Sequence, residues 1–264
     1  AWRYIIPKKS WFPSKITITP VKGVVSNFKN NLNEAQRRIL QNTCFSHFLQ
    51  CEEIVIQSQL IHYFLLRQVQ QPNESELWFN IAGRFVRFSI SEFCLVTGLR
   101  YVGDADISRM EKTPSRLKNL YFSTLKNVTR ENIKDAFLGS IDILDEDVSI
   151  LGALYFITSY LHPRDYKKVV DHFLFVLVED FSAMNVFPWD KSLFDTLIYK
   201  TIPNLDGYTA RRISRVYPRI MNWAVDDHPS AAKLEGPECF SNPDVIDIFT
   251  APFALVISQT METY

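Results

Sequence analysis

Cys44, His47 and Cys51 are the residues whose types and spacing come closest to metal chemistry. On a continuous helix they stand at i, i+3 and i+7, so one face would present two thiolates and an imidazole. A structural zinc site takes four ligands, and neither a Cys-x-x-Cys pair nor a second histidine at helical spacing completes the set. Cys44 also sits among Phe45, Phe48 and Leu49, where a core thiol is ordinary. No metal and no cofactor are therefore expected. Nucleophilic catalysis fares no better: the five His and four Cys carry no local nucleophile signature. The glycines are scattered singly, without a phosphate-binding loop. Asp145, Glu146 and Asp147 precede an apolar run, where acids at a helix start favour the dipole. No catalytic residue is assigned.

Arg211, Arg215 and Arg219 are the remaining candidates for recognition chemistry. On a helix across 209–225 they would form a basic stripe suited to phosphates or to an acidic partner. Pro218 interrupts that helix, and a solvated face opposite Ile213, Val216 and Ile220 is the simpler account. The whole chain adds nothing to the nucleic-acid case. Its 29 Lys and Arg balance 29 Asp and Glu, for a net charge of zero.

The elements that must position these residues read as mainly α-helical. The chain has 264 residues, 47% of them hydrophobic, enough to bury roughly three quarters of the unfolded surface without disulfides. Four unpaired cysteine spacings, no signal peptide and no run of about 18 apolar residues point to a nuclear or cytoplasmic chain without a membrane span. Residues 1–30 read as an N-terminal arm with a short strand at Lys15–Thr19, and 229–264 as a less regular tail, in a single helical domain over 1–264. Helical periodicity predicts helices from Asn33 for about 18 residues and from Glu53 to Val69. Further helices are expected at about 115–126, 130–138, 146–161, 167–184, 190–201 and 209–225, with a loop over 103–114. The fold class is thus a multi-helix globular bundle with one small β-hairpin.

That hairpin is the best-marked local feature. Leu77–Ile81 and Arg84–Phe88 flank Ala82-Gly83, and Ser89-Ile90-Ser91-Glu92 follows as a capping box. The short helix it starts stops at Gly98, a residue suited to left-handed backbone. Ser89 and Glu92 are expected to cap, Phe88 and Phe93 to be buried, and Gly98 to take positive φ.

The stretch from Leu77 to Leu99 resembles a plant domain family of unknown function. Its hallmark is a glycine hairpin, then Arg-Phe-Ser, then a helix ending Leu-Val-Thr-Gly-Leu. Three further stretches resemble the family in the same order: Leu154-Tyr155-Phe156, Phe187-Pro188-Trp189-Asp190, and Tyr217 to Trp223. The family usually has Gly where Asp190 stands and Tyr-Pro-Trp where this chain has Phe187-Pro188-Trp189. The resemblance covers about 35–230. It implies a plant source, a transposon-derived history, and a place upstream of ubiquitin-like-protein-specific protease domains in Mutator-type transposon proteins. A more distant similarity to the plant mobile domain points the same way.

No catalysis is implied, because the protease activity lies in a separate domain. Gly83, Phe88, Ser89, Glu92, Phe93, Gly98, Trp189 and Trp223 are then structural positions, with both tryptophans locking helices together. The expected function is a non-catalytic protein–protein interaction or scaffolding module whose partner the sequence does not name. A nucleic-acid-binding module using the Arg211 stripe is the alternative. An enzyme whose site is assembled from distant residues comes third.

Overall fold

In the computed structural model the residues described are 2–12, 23–51, 58–73, 76–81, 83–103, 105–161, 168–189, 210–213, 217–218, 221 and 223–225. The protein is mostly helical, with ten α-helices among the described residues: α1 (Val24–Asn30), α2 (Glu34–Leu40), α3 (Ser58–Leu66), α4 (Ile90–Thr97), α5 (Ile107–Met110), α6 (Arg116–Tyr121), α7 (Arg130–Leu138), α8 (Asp145–Phe156), α9 (His172–Val178) and α10 (Phe181–Val186). Strands β1 (Glu76–Ile81) and β2 (Arg84–Ser89) form the hairpin, and β3 (Ala210–Arg212) pairs antiparallel with β4 (Trp223–Val225).

α8 is the centre. Every residue from Asp147 to Phe156 is buried, so this helix is apolar on nearly all sides and must be covered all round. α2, α7, α1 and α9 pack around it, and a single π turn, Ile157–Leu161, continues it within the core. Phe28 of α1, together with Phe45 and Phe48, packs against Phe156, with ring centroids 4.9–5.6 Å apart. Phe137 of α7 stacks on Tyr155 at 5.2 Å.

Asp147 is the buried charge in this helix, and two partners answer it. Arg116 bonds both carboxylate oxygens, and Tyr121 donates to Oδ2 at 2.6 Å. Glu179, just past α9, accepts from Ser115 Oγ at 2.5 Å and from the Leu117 amide at 2.8 Å, so it satisfies the start of α6 from outside. Asp145 Oδ1 accepts from Asn33 Nδ2 and Gln36 Nε2, both at 2.9 Å, and so ties the capping box of α2 to the first turn of α8. The acids placed at this helix start by the sequence are therefore there, but two of the three act as clamps between helices.

Several expectations are corrected. The arm over 1–30 ends early: Val24, Val25 and Phe28 of α1 are core residues. The predicted strand at Lys15–Thr19 lies outside the described residues. The 18-residue helix from Asn33 stops at Leu40, because the Thr43 hydroxyl bonds the Leu40 carbonyl at 2.7 Å and folds the chain back. Only a 3₁₀ turn, Ser46–Leu49, follows. Asn185 of α10 holds this bend by accepting from the Cys44 amide (2.7 Å) and donating to the Asn42 carbonyl (2.9 Å). The loop at 103–114 contains α5. The helix over 167–184 is two helices, since the extended Asp180 caps α10 by accepting from the Ser182 and Ala183 amides. The helix over 209–225 is replaced at both ends by β3 and β4, and that over 190–201 lies outside the described residues.

The hairpin is larger than its two strands. Residues 67–70 bond the outer edge of β1 (Val69 amide to Trp78 carbonyl, 2.8 Å; Asn80 amide to Arg67 carbonyl, 2.9 Å). Residues 3–5 in turn bond 67–70 (Ile5 amide to Gln68 carbonyl, 2.9 Å; Gln70 amide to Arg3 carbonyl, 2.7 Å). The extended pairing at the N-terminus is thus an isolated bridge, Tyr4 to Val69, which the sequence did not mark.

Arg116 holds the Asp147 carboxyl below its usual range, more than offsetting burial, and Tyr121 is itself pushed up to about 12 by burial first and then by this bond. A carboxyl depressed in the folded state contributes fully at neutral pH, and that contribution is lost as pH falls through its folded value. Asp147→Asn is expected to cost about 2 kcal/mol at pH 7. It should also flatten the stability profile below pH 5. Urea melts from pH 7 to pH 3 measure both, and an acid limb unchanged by the substitution would contradict the role given to Asp147.

Candidate functional site

The stretch from α4 to Gly103 is where the sequence motifs meet. β2 hands the chain to α4 at Ser89, whose side chain accepts from the first-turn amides while Glu92 Oε2 accepts from the Ser89 amide at 2.5 Å. α4 closes at Gly98 with φ 72°, and Gly83 takes φ 83° in the hairpin turn. Phe88 is buried on the inner face with Phe79, Ile81 and Val86. The side chain of Phe93 lies outside what is described. Arg87 approaches Glu92 at 3.5 Å and Glu76 at 3.4 Å, which pins the hairpin to the helix.

Residues distant in sequence close on this junction. A Cβ at Gly98 would lie 3.0 Å from Pro218 Cγ and 3.3 Å from His47 Cε1, so the absence of a side chain admits both rings. The Tyr217 hydroxyl reaches the Cys94 carbonyl at 3.3 Å, and the Tyr217–Pro218 bond is cis. The Trp189 amide donates to the Arg100 carbonyl at 2.9 Å, and a Cβ at Gly103 would strike the Val186 carbonyl. Trp189 is buried, edge-on to Phe45 (5.1 Å) and Phe187 (5.0 Å). Trp223 lies on β4, and its side chain is not among those described.

The candidate chemical residues are dispersed or silenced. The bend after Leu40 removes Cys44, His47 and Cys51 from a common helix. Cys51 Sγ donates to the His47 carbonyl at 3.4 Å, and Cys44 Sγ faces the Met184 carbonyl at 3.7 Å. The indole N–H of Trp189 approaches the Cys44 sulfur without the geometry of a full hydrogen bond. Cys44, Cys51 and Cys94 are free thiols, and Cys239 lies outside the described residues. Burial pushes the Cys44 thiol up to about 12 and holds His47 down to about 4. A neutral thiol and a neutral imidazole turned to different partners are core groups. No cluster of three His, Cys, Asp or Glu residues able to hold a metal is found among the described residues.

Arg211 is on β3, where successive side chains alternate in direction, so the helical stripe i, i+4, i+8 is not formed there. Arg215 and Arg219 lie outside the described residues. No described helix is long and apolar enough to cross a membrane.

Residues 65–200 match a family described as a domain of unknown function (DUF1985). The chain belongs to this family. The matched segment contains the hairpin, α4, the buried Leu154–Phe156 of α8 and the Phe187–Trp189 stretch, while Tyr217 and Pro218 pack onto it from beyond its end. No curated protein and no solved structure matches the chain.

What the sequence did not mark is the apolar rim of this junction. Tyr101, Val102 and Val186 are exposed, and the close approach of Gly103 to Val186 brings the two segments side by side. Single exposed hydrophobes carry no sequence signal, because most surfaces have some.

Gly98→Val should destabilise by at least about 1–2 kcal/mol, the cost of left-handed backbone, before any displacement of Pro218. Ser89→Ala should cost about 1 kcal/mol. Denaturant melts of the two variants check the order, and a Gly98→Val melt equal to the parent's would refute the junction described. Cys44 should resist alkylation: at pH 8 a thiol titrating near 12 is ionised on the order of one part in 10,000. Timed iodoacetamide labelling with peptide mapping should show Cys44 modified in the folded protein far more slowly than after denaturation.

Proposed function

We propose that this chain is a non-catalytic protein–protein interaction or scaffolding module. The observation that supports this is the exposure of Tyr101, Val102 and Val186 beside the motif junction, with Val102 68% exposed. Large apolar side chains grouped on a rigid, hydrogen-bonded frame are what a protein partner covers, whereas an active site needs convergent titratable groups. Among the described residues, Cys44 and His47 are half-buried in packing and moved away from reactive pKa values.

The motif resemblance adds a setting to this reading: a plant protein of transposon-derived history, acting in the nucleus as the recognition part of a longer polypeptide. Of the Arg211, Arg215 and Arg219 stripe only Arg211 is among the described residues, on β3 rather than a helix, so no observation favours that second reading.

Val102→Asp combined with Val186→Asp should leave the thermal midpoint within about 2 °C, because both side chains are exposed. The same pair should abolish capture of specific proteins from plant nuclear extract, scored by quantitative mass spectrometry against the parent. An identical set of captured proteins from parent and variant would remove this surface from the proposal.

A further inference from the structure

The outer face of the four-segment sheet differs in chemistry from the rest of the molecule. In the hairpin register Trp78 pairs with Arg87 and Asn80 with Phe85, so Trp78 and Phe85 share the face opposite the core residues Phe79 and Val86. Trp2 lies across them, with ring centroids 5.1 Å from both Trp78 and Phe85. Trp2 is 47% and Phe85 40% exposed, and the Trp78 indole is fixed from beneath by its bond to Glu76 Oε2 at 2.7 Å. A second aromatic group adjoins it: Tyr4 packs edge-on to Trp11 at 5.3 Å, with Lys8 over both rings.

Charge sets this sheet apart even more. The stretches 2–12 and 67–89 carry Arg3, Lys8, Lys9, Arg67, Arg84 and Arg87 against two acids, Glu74 and Glu76, in a chain that is neutral overall. Arg3, Lys8 and Lys9 are exposed. Local basicity of this degree attracts a polyanion. Exposed rings fixed on a sheet offer π-faces to unpaired bases, which stack on them without regard to sequence. A duplex hides its base faces, and an acidic peptide has none to offer.

From this combination we propose that the outer face of the sheet binds a single strand of nucleic acid, with bases stacked on Trp2 and Phe85 and phosphates held by Arg3, Lys8 and Lys9. The site is separate from the Tyr101–Val102–Val186 rim and does not rest on the protein-binding reading. It also lies far in sequence from Arg211. Glu76 pairs with Arg87, so these two charges offset each other and Arg3, Lys8 and Lys9 are left to meet the strand's phosphates.

Fluorescence anisotropy with labelled dT20, using the full chain in about 50 mM salt, tests the idea. Binding is expected, with a log–log salt slope of roughly −2 for three phosphate contacts. Trp2→Ala with Phe85→Ala should weaken it at least about fivefold at constant salt and leave the slope unchanged. Lys8→Glu with Lys9→Glu, in an exposed turn that buries nothing, should weaken it and flatten the slope. A dA20·dT20 duplex and a poly-glutamate of equal charge should bind more weakly than dT20. Failure to bind dT20 at low salt would overturn the proposal, as would indifference to the ring substitutions. Equal affinity for poly-glutamate would do so too, assigning the face to acidic proteins instead. Circular dichroism melts of both double variants verify that the loss is not unfolding.

Discussion

The structure depends on the complete burial of α8. A helix hidden on all sides from Asp147 to Phe156 cannot be stable alone, because its apolar faces need cover and its polar groups need partners. Both demands are met by elements far away in sequence. Phe28, Phe45, Phe48 and Phe137 cover it, while Arg116 and Tyr121 answer Asp147. Ser149 bonds the Asp145 carbonyl within the helix and the Gln36 carbonyl of α2. The short helices around α8, several of only six or seven residues, are too short to persist by propensity and exist because they dock there.

The same logic explains how side chains stand in for longer helices. Glu179 adds to the Ser115 cap of α6, Asp145 reinforces that of α2, and Asn185 fastens the bend before Cys44. Each is a polar group at the end of one element that satisfies backbone or side-chain donors at the end of another. The hairpin and α4 join this frame through the inner row Phe79, Val86 and Phe88, and the junction at Gly98 is sealed by rings from both directions of the chain. Membership of the DUF1985 family therefore coincides with the part of the chain that carries both α8 and the hairpin.

Burial also divides the chemistry of the molecule. Thiol and imidazole groups that would be reactive in water are drawn into the aromatic core, where their charged forms are disfavoured. The described surface carries two patches of large exposed side chains: an apolar rim at Tyr101, Val102 and Val186, and an aromatic and basic sheet face around Trp2 and Phe85. The two differ in kind. One repels water without charge, and the other pairs flat rings with cations.

Local signals in the sequence determined the helical class, the hairpin with its Gly83 turn, the Ser89–Glu92 capping box, the stop at Gly98 and the 130–138 helix. These depend on hydrogen bonds within one helix turn or between two strands joined by a tight turn, so neighbours in sequence suffice to specify them. The burial of Trp189 and of the α8 run was likewise legible from aromatic and apolar patterning. Tertiary structure decided how the bend after Leu40 is held, since Asn185 reaches the Cys44 amide and the Asn42 carbonyl from far along the chain. It turned residues 23–30 from an arm into core and replaced helix by strand at Arg211. It also fixed which residues form surfaces, since Trp2 joins Phe85 only because residues 3–5 pair with 67–70. That pairing is a contact across more than sixty positions, and nothing in the spacing of either segment announces it.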